Sequence, residues 1–232
     1  MKRRIVHALL LALSLTGAGP VASREQSARP GINAPFEHPD YQEWVGRFET
    51  EGREVYDKRA QIVDATGVAP GMVVADIGAG TGLFTRLFAP RVAPGGMVIA
   101  VDISETFVDN ILRTSREQDL KNVEGVVNTP TDVALARESI DLAFVCDTYH
   151  HFEYPQAMLA SIRRALKPGG RLVIVDFERI PGVSSAWVLQ HVRAGKETVI
   201  AEIEAAGFKL VEDRPLMRDN YFLRFAKKEK TP

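Results

Sequence analysis

The chain's densest chemistry lies in an aspartate, three glycines and a second aspartate. Asp76-Ile77-Gly78-Ala79-Gly80-Thr81-Gly82 closes an apolar run, and Asp102 stands twenty residues after Gly82. Glycine allows positive φ and lets a ligand come close to the backbone. Where such a turn opens a helix, unpaired N–H groups face whatever is bound. Dinucleotide binders use GxGxxG, with the helix N-terminus facing a pyrophosphate. Here Leu83 holds the place of that third glycine, and a carboxylate at Asp76 sits badly beside a pyrophosphate. It suits a ligand carrying an ammonium group. Asp102 can accept both hydroxyls of a ribose. A nucleoside joined to an amino acid fits all three features.

A second group follows at Cys146-Asp147-Thr148-Tyr149-His150-His151-Phe152. Histidine suits proton removal near neutral pH, and a tyrosine hydroxyl can orient an acceptor. His150 and Tyr149 are therefore the candidate catalytic residues, and Asp147 a candidate lining of the cofactor pocket or, alternatively, a helix cap. His151 is expected to be structural. Adjacent residues on a turn should point apart and no Cys or acid cluster has ligand spacing, so no metal is expected. Cys146, the one cysteine, reads as a small core residue and can form no intrachain disulfide. Arg53, Tyr56 and Arg59 fall within two helical turns and could bind a carboxylate, or form a solvated helix face. Trp187 and His191 are candidates for touching an acceptor, with packing the safer reading for Trp187.

These residues need elements to hold them. Trp44, Phe48, Val55, Ile62 and Val63 fall roughly at helical spacing, interrupted at Gly46 and Gly52, which predicts two helical pieces over 40–66. Apolar runs at 72–77, 97–101, 123–127, 140–146 and 171–176 read as strands, and 81–89, 104–118 and 155–166 as helices, with Ser104 a candidate N-cap. A further helix ends at Gly207, and 208–212 and 221–226 read as two final strands. Strands alternating with helices imply an α/β fold with a doubly wound, mostly parallel sheet covered on both faces. Its ligand belongs beyond the carboxyl ends of the strands, at the switch point.

The segment Asp76 to Gly82, with Val101-Asp102 on the next strand, resembles class I S-adenosylmethionine-dependent methyltransferases. The likeness continues through Ile140-Asp141-Leu142-Ala143-Phe144-Val145 and Leu166-Lys167-Pro168-Gly169-Gly170-Arg171-Leu172. It implies seven strands in the order 3-2-1-4-5-7-6, the last antiparallel, and S-adenosylmethionine as methyl donor. It also implies that Gly78, Ala79, Gly80, Thr81 and Gly82 embrace the methionine part, that Asp76 lies beneath them, and that Asp102 and Ile103 hold the sugar. Where the family often places an acid against the adenine, this chain has Asn128-Thr129-Pro130-Thr131-Asp132, so Thr129 or Asn128 is the candidate contact. Asp147-Thr148-Tyr149 lacks both prolines of the loop used by amino-group methyltransferases, so nitrogen as the acceptor atom does not follow. The implied activity is methyl transfer to a small-molecule acceptor. A non-catalytic binding module, or a methyltransferase acting on an exported protein, is the alternative.

The N-terminus reads as an export signal over 1–23: Lys2-Arg3-Arg4, an apolar stretch from Ile5 to Leu15, then small residues to Ser23. The apolar stretch is shorter than the ~20 residues a membrane span needs. The expected organisation is this signal, a linker over 24–39, a helical lid over 40–69 and the main domain over 70–230, with the mature protein periplasmic or secreted. Removing the three basic residues of the signal from 29 leaves 26 against 30 acidic ones. That balance gives no reason to expect a nucleic-acid partner.

Overall fold

In the computed structural model of the protein, residues 25–228 are described. The expected export signal lies outside them. No helix among the described residues is long and apolar enough to cross a membrane.

Seven strands form one sheet: β1 Val73–Ile77, β2 Met97–Asp102, β3 Val123–Val127, β4 Ile140–Cys146, β5 Leu166–Phe177, β6 Phe208–Arg214 and β7 Asn220–Lys227. Their order is β3-β2-β1-β4-β5-β7-β6. β1 to β5 pair in parallel, and β7 runs antiparallel to both β5 and β6. The class and order expected from the sequence are those observed. Along β4 the side chains alternate: Leu142 and Phe144 face one core, Ala143 and Val145 the other. α3 (Arg59–Thr66) and α4 (Leu83–Val92) cover the first core, where Phe144 packs against Phe84 and Phe88 with ring centroids 4.8 and 5.1 Å away. α6 (Pro155–Ala165) and α8 (Lys196–Ala205) cover the second. α5 (Glu105–Glu117) packs along β2 and β3.

The differences from the sequence reading are local. α4 begins at Leu83 because Gly82, its N-cap, stands at φ 78 in the left-handed region. The Lys167-Pro168-Gly169-Gly170 turn lies inside β5 as an irregularity in its pairing with β4, between Ile140 and Leu142. Ser104 occupies the N-cap position of α5, but its hydroxyl caps nothing and is buried without a partner. The region before the sheet forms three helical pieces, not two: α1 (Tyr41–Phe48), α2 (Glu54–Asp57) and α3. Gly46 lies within α1, whose N-terminus is capped by the Asp40 side chain accepting from the Gln42 and Glu43 N–H groups.

Residues 25–39 of the stretch that reads as a linker over 24–39 lie across the carboxyl end of the sheet. Ala28 N donates to Glu153 O at 2.7 Å, Asn33 Nδ2 to His151 O at 3.1 Å, and Ile32 is buried. β1 lies between β2 and β4, so the chain winds away from it in both directions. The crevice at that reversal opens into a cavity of about 450 Å³, within the ~300–1,000 Å³ usual for small-molecule sites.

Candidate active site

The turn after β1 is held by its neighbour strand. Gly78 and Ala79 N–H both donate to Val101 O, at 2.8 and 3.1 Å, and Gly82 N donates to Ala79 O at 2.8 Å. Asp102 then organises two loops at once: Oδ2 accepts from Gly80 N at 2.8 Å and Oδ1 from Ser104 N at 2.9 Å. Each oxygen of a carboxylate has about two lone-pair directions. After these backbone bonds one direction remains on each, enough for a pair of vicinal hydroxyls. Asp76 lies beneath the turn, where its Oδ2 accepts from Thr85 Oγ1 on α4 at 2.6 Å. Both acids are buried, and burial pushes each carboxyl up to about 6. The bond from Thr85 opposes that rise at Asp76, and the N–H groups of Ser104 and Gly80 oppose it at Asp102.

The cavity lining includes Asp76, Gly78, Ala79, Gly80, Thr81, Asp102, Ile103, Thr129 and Asp147. Gly82 sits behind it, where an added Cβ would stand 2.7 Å from Ile111. Asn128 and Phe107 also line it; Phe107 was not anticipated, having only the signature of a buried helix residue. Asp132 turns away to pair with Arg164 at 2.8 Å.

At the end of β4 the candidates separate. His150 reaches the cavity, with Nδ1 2.8 Å from Asp176 Oδ1 and its backbone N–H donating to Asp176 Oδ2 at 3.1 Å. The expectation for Tyr149 is corrected. Its ring is fully buried in the core under β4 and β5, and its hydroxyl donates to Glu202 Oε2 at 2.7 Å, beside Arg193. Tyr149 starts a single 3-10 turn (Tyr149–His151), in which its ring enters the core while His150 and His151 both line the cavity. Burial, followed by the Glu202 charge, also holds the phenol far above its ordinary pKa.

The divergence expected of the two histidines is corrected as well. The rings of His150 and His151 lie 4.4 Å apart, and His191 of α7 (Ala186–His191) folds onto both, at 5.1 and 5.2 Å. Trp187 is more exposed than a packing residue should be; its ring stacks on His191 at 4.6 Å. Cys146 lines the cavity next to the core, and burial pushes its thiol up, which keeps it protonated and poorly nucleophilic.

α1 roofs the glycine turn. Tyr41 Oη donates to Thr81 O at 3.1 Å, Arg86 bridges Thr81 O and Glu49 at 2.7 Å each, and Phe48 stands over Gly80. Arg53 ties this roof to the sheet. It donates to Phe48 O at 2.8 Å and pairs with Asp147, whose other oxygen accepts from Asn220 Nδ2 at 2.7 Å. Asp147 thus caps no helix. Burial raises its carboxyl and Arg53 opposes that rise. Arg59 leaves the group, lying over the Tyr56 ring at 4.1 Å.

Arg53→Ala should therefore loosen the roof. Losing a bond to a buried charge costs about 1.5–3 kcal/mol, read as a melting temperature lower by several degrees and faster deuterium uptake over Tyr41–Phe48. Arg47→Ala, which removes the exposed pair with Glu43, should change neither.

Comparison with known proteins fits this geometry. Residues 75–174 match a family model described as a methyltransferase domain. The stretch runs from β1, through the glycine turn and Asp102, to the middle of β5. Curated relatives include the ubiquinone/menaquinone biosynthesis C-methyltransferases UbiE of Hydrogenovibrio crunogenus, 30% identical over 119 residues, and of Pasteurella multocida, 35% identical over 124. These alignments cover 51% and 50% of this chain and 47% and 44% of the relatives, so the chain spans about half the length of the curated relatives it matches. A solved S-adenosylmethionine-dependent methyltransferase from Aquifex aeolicus superposes with a TM-score of 0.73 at 22% identity, covering 82% of this chain and all of that one. At that identity the likeness shows the fold. Over residues 75–174 the chain is thus similar to methyltransferase domains, on a fold shared with that solved methyltransferase.

Proposed function

We propose that the protein transfers a methyl group from S-adenosylmethionine to a small-molecule acceptor. The arrangement of Asp102 carries this reading, with one lone-pair direction left on each oxygen and the glycine turn fixed alongside. The turn also fits the ligand. Gly78 and Gly80 face the cavity without side chains, so backbone alone meets the methionine portion, and Ile103, Phe107, Asn128 and Thr129 border the place for the base. The bound sulfonium supplies an activated methyl group. The chain's own residues grip the sugar, exclude water beneath α1, and hold the acceptor against the end of β4. His150 is placed there beside the acceptor, with its ring oriented by Asp176, which accepts from Nδ1. Phe177, Trp187, Trp44 and Phe36 give the acceptor side flat apolar walls, which suit an aromatic or otherwise planar molecule.

Cofactor affinity should depend on pH through Asp102. The ribose hydroxyls need the ionised carboxylate, so affinity is full above about pH 6 and falls below it, by up to about tenfold per unit. Unfolding does not explain that loss. A carboxyl raised in the folded state contributes stability below its unfolded value of 3.8 and loses it as pH rises through about 6. Acidification from 7 to 5 therefore strengthens this contribution while weakening binding. Calorimetric titrations at pH 5, 6, 7 and 8 should trace the curve, and Asp102→Asn should make it shallower, leaving the share of Asp76.

The activity is tested by incubating the enzyme with methyl-labelled S-adenosylmethionine and a cell extract divided by size. Label should move to a compound in the small-molecule fraction. Label in protein would make the acceptor a polypeptide, and no transfer with intact cofactor binding would leave a binding module. We further propose that 1–23 direct export, so the mature chain in a periplasmic or secreted fraction should begin near Ala22 or Ser23 by mass spectrometry. A cytoplasmic chain retaining Lys2-Arg3-Arg4 would contradict this.

A further inference from the structure

Three imidazoles converge where the acceptor side of the cavity meets the N-terminal segment. One nitrogen from each of His150, His151 and His191 lies within 4.8 Å of the other two. His151 Nε2 and His191 Nε2 stand 3.4 Å apart. Two zinc ligands at Zn–N distances of ~2.0–2.1 Å in tetrahedral geometry are separated by ~3.3 Å, so this pair is already spaced for one ion. Closing the remaining gap, at most 4.8 Å, to that spacing takes a shift of up to about 1.5 Å, within reach of side-chain rotation in the cluster.

Three further observations point to a ligand. The bond of His150 Nδ1 to the buried Asp176 leaves Nε2 as the lone-pair nitrogen, the carboxylate–histidine arrangement that orients metal ligands. His151 Nδ1 is buried with no hydrogen-bond partner, so the ring's one polar side-chain neighbour among the described residues is the His191 nitrogen. The rings are also held from outside by aromatic faces: Phe177 against His150 at 5.8 Å, Phe36 against His151 at 5.2 Å, and Trp187 stacked on His191. Arg29 fixes the end of α7 by donating to the Gln190 and His191 carbonyls, the former at 2.9 Å.

We propose that His150, His151 and His191 bind one divalent transition-metal ion of zinc-like chemistry, with open coordination positions facing the cavity. Three imidazoles, joined by no cysteine or carboxylate in the cluster among the described residues, select an ion of that borderline class over magnesium or calcium. Three protein ligands beside a cavity match sites that keep a position for a substrate atom. That the position takes an oxygen, nitrogen or sulfur atom of the methyl acceptor rests on the function proposed above; binding of the ion does not.

The test uses the full chain without an affinity tag, stripped by a chelator and titrated with zinc in competition with a chromophoric indicator. Cobalt(II) serves as the spectroscopic substitute, and no methyl donor is present. The expected result is one ion per chain, visible cobalt bands of low coordination number, and X-ray absorption showing three imidazole nitrogens. His191→Asn should lower zinc affinity at least tenfold, while the exposed His38 replaced by Asn should change nothing. A circular-dichroism spectrum and cooperative melt like those of wild type would confirm that the His191→Asn protein is folded. Absence of a stoichiometric zinc site below millimolar concentration overturns the proposal, as does a wild-type absorption spectrum with fewer than two imidazoles, or affinity unmoved by His191→Asn. The wild-type spectra decide even if a variant fails to fold. Methyl-donor binding is measured separately, so failure of the metal site and failure of the methyl-transfer reading are distinguishable.

Discussion

Gly78→Ala should abolish measurable S-adenosylmethionine binding, the largest single effect expected of any substitution in the cavity lining. A Cβ at that position would stand 2.1 Å from Thr148 Cγ2, 2.4 Å from Oγ1 and 2.7 Å from Cβ. Thr148 cannot swing clear without cost, because its hydroxyl donates to Cys146 O at 2.9 Å and its backbone opens the Tyr149–His151 turn. Gly78 also stands at φ 70, where a side chain costs ~1–2 kcal/mol. Relief of both terms pushes the turn after β1 away from the end of β4, and the two strand ends are what face each other across the cavity. Affinity should fall at least about 100-fold and the melting temperature by several degrees. Adding Thr148→Gly removes the clash but not the conformational cost. The double variant should therefore recover part of the binding, and a double variant no better than Gly78→Ala would show that the clash is not the cause.

Asp102→Asn comes next. The amide keeps the shape but accepts at one atom only, so its NH2 must face either Gly80 N–H or Ser104 N–H, both of which now donate to the carboxylate. One backbone donor loses its partner and one ribose hydroxyl loses its acceptor. Hydrogen bonds to a charged group are worth ~1.5–3 kcal/mol each, which predicts affinity lower by about 100-fold at pH 7.5. Stability should change less, because the variant also removes a buried charge whose carboxyl is raised to about 6. Calorimetry and a thermal melt on the same sample separate the two. A melt that collapses in step with binding would make Asp102 a structural residue only.

The sequence was most informative where chemistry and local backbone requirement coincide. The turn from Asp76 to Gly82 and the acid ending β2 are short-range signals, and the sheet order followed once the segment's resemblance was recognised. Convergence over long sequence distances was not legible. His191 meets His151 across 40 residues and Arg53 meets Asp147 across 94, and neither pairing leaves a mark in spacing. Tyr149 was misplaced because one tight turn decides which neighbour faces the cavity and which the core, a choice made by the space available beside Glu202 and Arg193. The stretch before α1 has the composition of a linker, yet Ile32 and Phe36 find apolar cover only at the cavity mouth.

Titration calorimetry of the purified full chain with S-adenosylmethionine at pH 7.5, with NAD as the control ligand, tests the account most directly. One cofactor per chain, bound on the order of micromolar, with no heat from NAD, is the predicted result. A cooperatively folded protein that releases no heat with S-adenosylmethionine or its demethylated product, or that binds NAD instead, would contradict it.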